Sequence, residues 1–174
     1  MLIEDDCYLP WNRRLQPDVM ALIKISATGD DVSLLTDGWE RRINGVDHVW
    51  EGPLNEGITF SFPEPIFLSQ MRIVFDSDLN RDTFSDDMEA QKEFPMRAHI
   101  YFGMKSSYVP PTIIRKFEVL TDTGNGNWRK FYKENNNYQR LVKITLNGSY
   151  QRIKLVPLET WGSTKARIYS LEVK

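Results

Sequence analysis

The chain has 174 residues, 41% of them hydrophobic and 26% charged, the size and balance of one ordinary globular domain rather than a disordered or fibrous chain. Twenty-two Lys/Arg against 24 Asp/Glu leave a net charge of −2. No apolar run reaches the roughly 18 residues of a bilayer span, so membrane insertion is not expected; no charged-then-apolar leader opens the chain. The single cysteine, Cys7, excludes an internal disulfide and a multi-cysteine zinc site.

In chain order, residues 1–16 have no clear period and read as a peripheral arm or junction, with one domain over 17–174. The periodicity is that of strands. In 140–146, Val142, Ile144 and Leu146 alternate with Lys143 and Thr145; in 152–156, Ile153 and Leu155 alternate with Arg152 and Lys154; near the end Tyr169, Leu171 and Val173 alternate with Ser170 and Glu172. Similar segments at 19–27, 58–62, 66–75, 113–121 and 127–134 bring the count to eight. Only 82–93 could form a short polar helix. Turn chemistry separates the strands: Pro63–Glu64–Pro65, Thr121 to Gly126, and Asn147–Gly148, a strong hairpin signal because both residues tolerate positive φ. The expected fold is all-β, an eight-stranded antiparallel jelly-roll β-sandwich. Its core should hold Ile25, Phe60, Ile73, Phe117, Ile144, Leu155 and Leu171, which share the apolar phase of their strands.

Charge is uneven along the chain. Residues 1–95 hold 8 Lys/Arg and 19 Asp/Glu, net −11, and residues 96–174 hold 14 and 5, net +9. With no arginine-rich run and no stacking-aromatic motif, the reading is that strands of both parts interleave and neutralise each other, without a nucleic-acid partner.

If successive strands are antiparallel, successive connections alternate between the two ends of the sandwich. The connections 28–57, 76–112, 135–138 and 157–165 then share one end, and the tight turns lie at the other. Loops longer than about 12–15 residues in a compact domain usually carry function. This rim collects Trp39, Trp50, Tyr138 and Trp161. An aromatic face stacks on sugar C–H surfaces, and neighbouring Arg or Asn side chains bond hydroxyls. The candidate ligand-binding set is Trp50, Asn80, Arg81, Tyr138, Arg140 and Trp161. The competing reading has the rings plugging the sandwich, while Arg81, Arg97, Arg140 and Arg167 pair with Asp47, Asp76 or Glu51.

Catalytic signatures are missing. There is no G-x-S-x-G elbow and no P-loop, and Gly124–Asn125–Gly126 lacks the third glycine of a dinucleotide fingerprint. The two histidines, His48 and His99, lie far apart in sequence. Asp76–Ser77–Asp78–Leu79–Asn80 copies the start of a calcium loop, but Arg81 stands where such loops need glycine.

Several stretches resemble one type of module. They are Ile43–Asn44–Gly45–Val46 with Trp50; Phe75 through Arg81; Pro110–Pro111 leading into Lys116–Phe117–Glu118–Val119; Asn137–Tyr138–Gln139–Arg140; and Thr160–Trp161–Gly162 with Ala166–Arg167. Together they resemble the C-terminal galactose-binding-like, discoidin-type domain of bacterial FAD-dependent oxidoreductases. Asp5 through Pro10 is similar to the junction preceding that domain. The resemblance implies a non-catalytic accessory module that binds carbohydrate through rim loops, or else a purely structural domain packed against a catalytic partner. It implies no flavin here, because the flavin site belongs to a separate domain, and a parent protein that is periplasmic or secreted. It also implies a structural calcium near an Asp-Gly turn, here at Asn44 and Asp47, with Thr36–Asp37–Gly38 as a second candidate.

Overall fold

A computed structural model describes residues 17–43, 45–77 and 109–174. The polar helix expected over 82–93, along with Asn80, Arg81, Arg97, His99 and Asn44, lies outside the described residues. A single helical turn, Pro17–Met20, precedes β1 (Lys24–Ser26), and a 3₁₀ turn, Val32–Thr36, precedes β2 (Trp50–Pro53). The remaining strands are β3 (Ile58–Phe75), β4 (Ile114–Asp122), β5 (Arg129–Glu134), β6 (Leu141–Thr160) and β7 (Lys165–Val173). Every pairing is antiparallel.

The two longest strands organise the molecule. Pro63–Glu64–Pro65 and Asn147–Gly148 do not close hairpins as expected; each lies inside one continuous strand, which reduces the eight expected strands to six, and the unexpected β2 brings the described residues to seven. β3 and β6 pair from Ile58↔Leu155 to Val74↔Leu141, with a register break between Ser61 and Ile66. Pro63 and Pro65 have no N–H to donate, and they fall in that break, where the ladder loses nothing. The paired strands bend there and pass from one layer to the other. In the first layer, β1 and the C-terminal half of β6 flank the N-terminal half of β3, followed by β4 and β5. In the second, the N-terminal half of β6 pairs with the C-terminal half of β3, followed by β7 and β2. A ribbon rolled across two layers in this way is the jelly-roll form of the β-sandwich.

The apolar phase of each strand explains the packing. Ile58, Phe60 and Phe62 face inward; a bulge between Leu68 and Gln70 then shifts the phase so that Met71, Ile73 and Phe75 do so. Phe75 of the second layer meets Phe117 of the first at 5.4 Å between ring centroids. Rings of this kind each contribute about 1.5–3 kcal/mol by burial, with a further increment from tilted ring contact. Six of the seven expected core residues are buried, and Ile25 is half-buried against the same cluster. β7 is buried on both faces, because Val49 covers Val74 and Tyr169 on its outer side. β2, which the periodicity did not announce, forms where Trp50 enters the core.

The alternation of connections between ends holds. The strand ends before and after 76–113, 135–140 and 161–164 lie in opposite layers, at the end where Ile58, Phe75 and Thr160 lie. The corner at 63–65 and 147–149 and the β4–β5 turn occupy the opposite end.

Candidate functional site

The rim is stitched together by backbone groups from distant parts of the chain. Phe75 N–H donates to Arg140 O at 2.8 Å, Asp76 N–H to Arg167 O at 3.1 Å, Asn137 N–H to Arg115 O at 2.9 Å, and Trp161 N–H to Ile113 O at 3.1 Å. Thr112 Oγ1 donates to Asp76 O at 3.2 Å. Two neighbourhoods result.

The first is a closed polar centre around Arg167. Its guanidinium donates Nε to Asp76 Oδ2 at 2.6 Å, Nη1 to Glu51 Oε2 at 2.8 Å and Nη2 to Asp47 Oδ2 at 2.9 Å. Tyr169 OH donates to Asp47 Oδ1 at 3.1 Å, and Lys165 Nζ donates to Glu51 Oε1 at 2.6 Å. Burial would lower the Arg167 pKa, but these acceptors outweigh it and hold the guanidinium firmly charged. Lys165, against the burial cost, and then Arg167 hold the Glu51 carboxyl below its ordinary range. Burial, then the charges of Asp76 and Asp47, pushes the Tyr169 phenol up, so it stays neutral and can donate. Arg140 stacks at 5.8 Å over Tyr169 and donates Nη2 to Glu40 O. Arg167 thus makes the pairings with Asp47, Asp76 and Glu51 expected as the alternative to ligand binding, whereas Arg140 bonds a backbone carbonyl beside them.

Asp47 was also a candidate calcium ligand. Both of its oxygens are taken, by a guanidinium and a phenol. Asp37, in the second candidate turn, accepts from Trp39 N–H at 2.9 Å and faces His48 Nδ1 at 2.7 Å. Among the described residues no group of three or more His, Cys, Asp or Glu side chains is disposed to hold a metal ion. The described residues of these two turns therefore do not gather a calcium centre, and Asn44 lies outside them.

The second neighbourhood is open. Asn137 is buried and locks the 135–140 turn: its Nδ2 donates to Ile114 O at 2.8 Å and Gln139 O at 3.0 Å, and its Oδ1 accepts from Gln139 N–H at 3.0 Å. The next side chain, Tyr138, is thereby thrust outward and is 64% exposed. Trp161 lies beside this turn, donating its indole Nε1–H to Asn137 O at 2.7 Å. Arg115 stacks at 4.6 Å over the indole, donates to Glu159 Oε1 at 3.1 Å and reaches Asn136 Oδ1 at 3.4 Å. Hydrogen bonding from Lys116 lowers the Glu159 pKa, so this carboxylate stays an acceptor at neutral pH. An exposed phenol, a half-buried indole and a fringe of guanidinium, amide and carboxylate offer a stacking surface with directional donors and acceptors.

The expected site residues therefore separate. Tyr138 and Trp161 come together at the open part of the rim. Trp50 does not join them: it is 1% exposed, and its ring fills the core against Gly52. Arg140 is turned inward to Glu40. Asn80 and Arg81 lie outside the described residues. Sequence reasoning missed Arg115, which the pairing of Ile114 with Thr160 sets over Trp161, and its side-chain partners Asn136 and Glu159.

No protein-family pattern matches the chain, and no curated protein sequence matches it. Solved structures do. The family 32 carbohydrate-binding module of Streptococcus pneumoniae EndoD is 12% identical, with a TM-score of 0.59 over 87% of this chain and 94% of that one. A Clostridium perfringens module in complex with GalNAc-β-1,3-galactose is 17% identical, with a TM-score of 0.55 over 88% and 95%. The family 32 module of C. perfringens NanJ in complex with galactose is 14% identical, with a TM-score of 0.55 over 88% and 93%. At these identities the likeness establishes the fold alone: the chain shares the β-sandwich fold of these carbohydrate-binding modules.

Proposed function

We propose that this chain is a non-catalytic accessory module that binds carbohydrate at the open rim, on Tyr138 and Trp161, with Arg115, Asn136 and Glu159 addressing hydroxyls. The observation that carries the reading is the locked 135–140 turn, which holds Tyr138 out in solvent beside Trp161. An exposed aromatic held by a fully bonded buried amide is preorganised for stacking. Support also comes from the shared fold, since similar modules are in complex with galactose and GalNAc-β-1,3-galactose. A shallow rim buries little of a small sugar, so affinity should be weak, about 0.1–1 mM. The module accompanies a catalytic partner domain, and the motif resemblance names an FAD-dependent oxidoreductase as that partner. Trp50, Arg140 and Asp47 play no part in the proposed site.

Calorimetric titration with galactose and N-acetylgalactosamine, extended to a glycan array, tests this. Tyr138→Ala should weaken binding about tenfold or more, the loss of roughly 1.4 kcal/mol or more of stacking and burial, while leaving the melting temperature unchanged. Saturable binding unaffected by both Tyr138→Ala and Trp161→Ala would overturn the site. An array without any bound glycan would overturn the function.

A further inference from the structure

The charge asymmetry of the sequence is met differently in the two layers: on the first, Arg115, Lys116, Lys130, Lys133 and Arg152 pair with Glu159, Glu118 and Asp122, which leaves Lys154 outside the ion pairs formed among the described residues. On the second layer, cations pair with acids from the first half of the chain: Arg72 with Glu40, and Arg167 and Lys165 with Asp47, Glu51 and Asp76. On the first layer, Ile25, Phe60, Ile153 and Leu155 point inward, so Lys24, Ser61, Arg152 and Lys154 fall on the outward phase. Lys24 and Arg152 lie in one row across the sheet, on either side of Ser61, and Lys154 is two residues along β6 from Arg152.

Trp128, just before β5, brings two of these cations together. Arg152 Cζ lies 4.9 Å and Lys154 Nζ 4.3 Å from the centroid of its indole. Two positive charges thus share one ring, and one carboxylate pairs with the first of them. That carboxylate is Asp122, which is buried, takes Arg152 Nε at 2.8 Å and Nη2 at 2.5 Å, and accepts from Gly124 N–H at 3.0 Å. Among the described residues no carboxylate pairs with Lys154. Asp122 holds the Arg152 fork in place and uses two of its three nitrogens. Beside it lies an open depression of about 350 Å³ lined by Ser61, Phe62, Asp122, Gly124, Gly126, Gln151 and Arg152, and Arg152 joins it to the Trp128 ring and Lys154 next to it. Gly126 adds no side chain to it, and a β-carbon there would meet nothing within 4 Å.

We infer that this depression and the Trp128 face adjoining it at Arg152 form a second binding site, selective for an acidic saccharide whose ring lies in the depression and whose carboxylate or sulfate ester is received between Arg152 and Lys154. Two cations on one ring face a single carboxylate, which leaves one positive charge for a second anion, and the Ser61 hydroxyl, Gln151 amide and glycine backbone beside the one apolar side chain, Phe62, suit a polar ring. The site lies at the end opposite the rim, so a saccharide there does not compete with one at Tyr138. It depends on the accessory-module reading only for the carrier of the anion being a saccharide. Neutral-sugar binding at the rim can fail or succeed separately.

The test is an amide and indole NMR titration of the isotope-labelled full chain, with the Trp128 indole signal identified from Trp128→Phe. The probes are galactose, trigalacturonate, galactose 6-sulfate and inorganic sulfate. Trigalacturonate or galactose 6-sulfate should shift the Trp128 indole and the Gly124 and Gly126 amides, and whichever does so names the acid. Galactose should leave these signals in place. Lys154→Gln should weaken the response about tenfold, one charge-assisted hydrogen bond's worth, and Lys143→Gln, on the other layer, should not. Three results would overturn the site: unmoved Trp128 signals at about 10 mM of both acidic saccharides, equal weakening by the two lysine variants, or an equal response to inorganic sulfate alone. Signals at Trp161 in the same spectra report the rim independently.

Discussion

Arg167 is the residue on which the closed side of the rim depends. Its three nitrogens engage carboxylates from the 37–49 segment, from β2 and from the end of β3, so one guanidinium ties together chain segments far apart in sequence. Arg167→Met removes the positive charge and leaves Asp76, which is buried, without its Nε donor. Breaking a fully buried pair costs about 3–5 kcal/mol; with the guanidinium side chain 24% exposed, solvent screening brings the expectation to about 2–3 kcal/mol. Urea denaturation should show a lower midpoint at unchanged slope. Because Asp47 is spoken for by Arg167 and Tyr169, a chelator should leave the wild-type melting temperature where it is. At this scale the sequence was partly legible. Arg167 was marked for pairing with Asp47, Asp76 or Glu51, and it pairs with all three. Trp50 was misplaced, because a tryptophan within a long connection looks the same on paper whether it faces solvent or the core.

At the scale of elements, the strands were legible wherever apolar residues alternate, and the reversals were not. Asn147 has φ 45° and takes the left-handed conformation that a hairpin would need, yet it serves a bend within β6. Local turn chemistry specifies the backbone conformation, and the partner across the ladder decides whether the chain reverses. Asn147→Val should therefore destabilise by about 1 kcal/mol or slightly more through positive-φ strain alone, whereas Asn147→Gly should be close to neutral, both read from thermal midpoints. β2 escaped notice because four residues with a glycine and a proline have no readable period. Its glycine is nonetheless demanding: a β-carbon at Gly52 would lie 2.4 Å from the Trp50 ring and 2.7 Å from Thr28 O. Gly52→Ala should cost about 1–3 kcal/mol by overpacking, measured by the same denaturation.

For the whole molecule, stability should depend on pH at both extremes. Glu51 is held below its ordinary pKa by Lys165 and Arg167, Glu134 by the backbone N–H of Asn136, and Glu159 by Lys116. Burial raises the Asp122 pKa, but Arg152 and the Gly124 N–H lower it further, so its net shift is also downward. A carboxylate with a depressed folded pKa contributes stability that is complete above its unfolded value and lost as the pH falls through the folded one. The melting temperature should thus be level near neutrality and fall below about pH 4.5. Tyr132, Tyr150 and Tyr169 have raised values, led by burial. Their contribution is complete below about pH 10 and is lost as the pH rises beyond it. A melting series from pH 3 to 11 that stayed flat would contradict these ion and phenol assignments. The two-layer architecture and the gathering of loops at one end were legible from alternation and parity. The composition of the rim was not, because Arg115 reaches Trp161 only through the β4–β6 register.

The bent β3–β6 ribbon has a consequence for how the chain reaches this state. Each of the two strands belongs to both layers, and their pairing joins Ile58 to Leu155 and Val74 to Leu141 across long stretches of intervening chain. Neither layer can be completed without closing that large loop, so its entropy must be lost before most contacts form. Refolding should accordingly take milliseconds to seconds, as for other β-sandwiches. In native-state hydrogen exchange, the amides of Phe60 and Ile73, one in each layer, should open together with the same free energy.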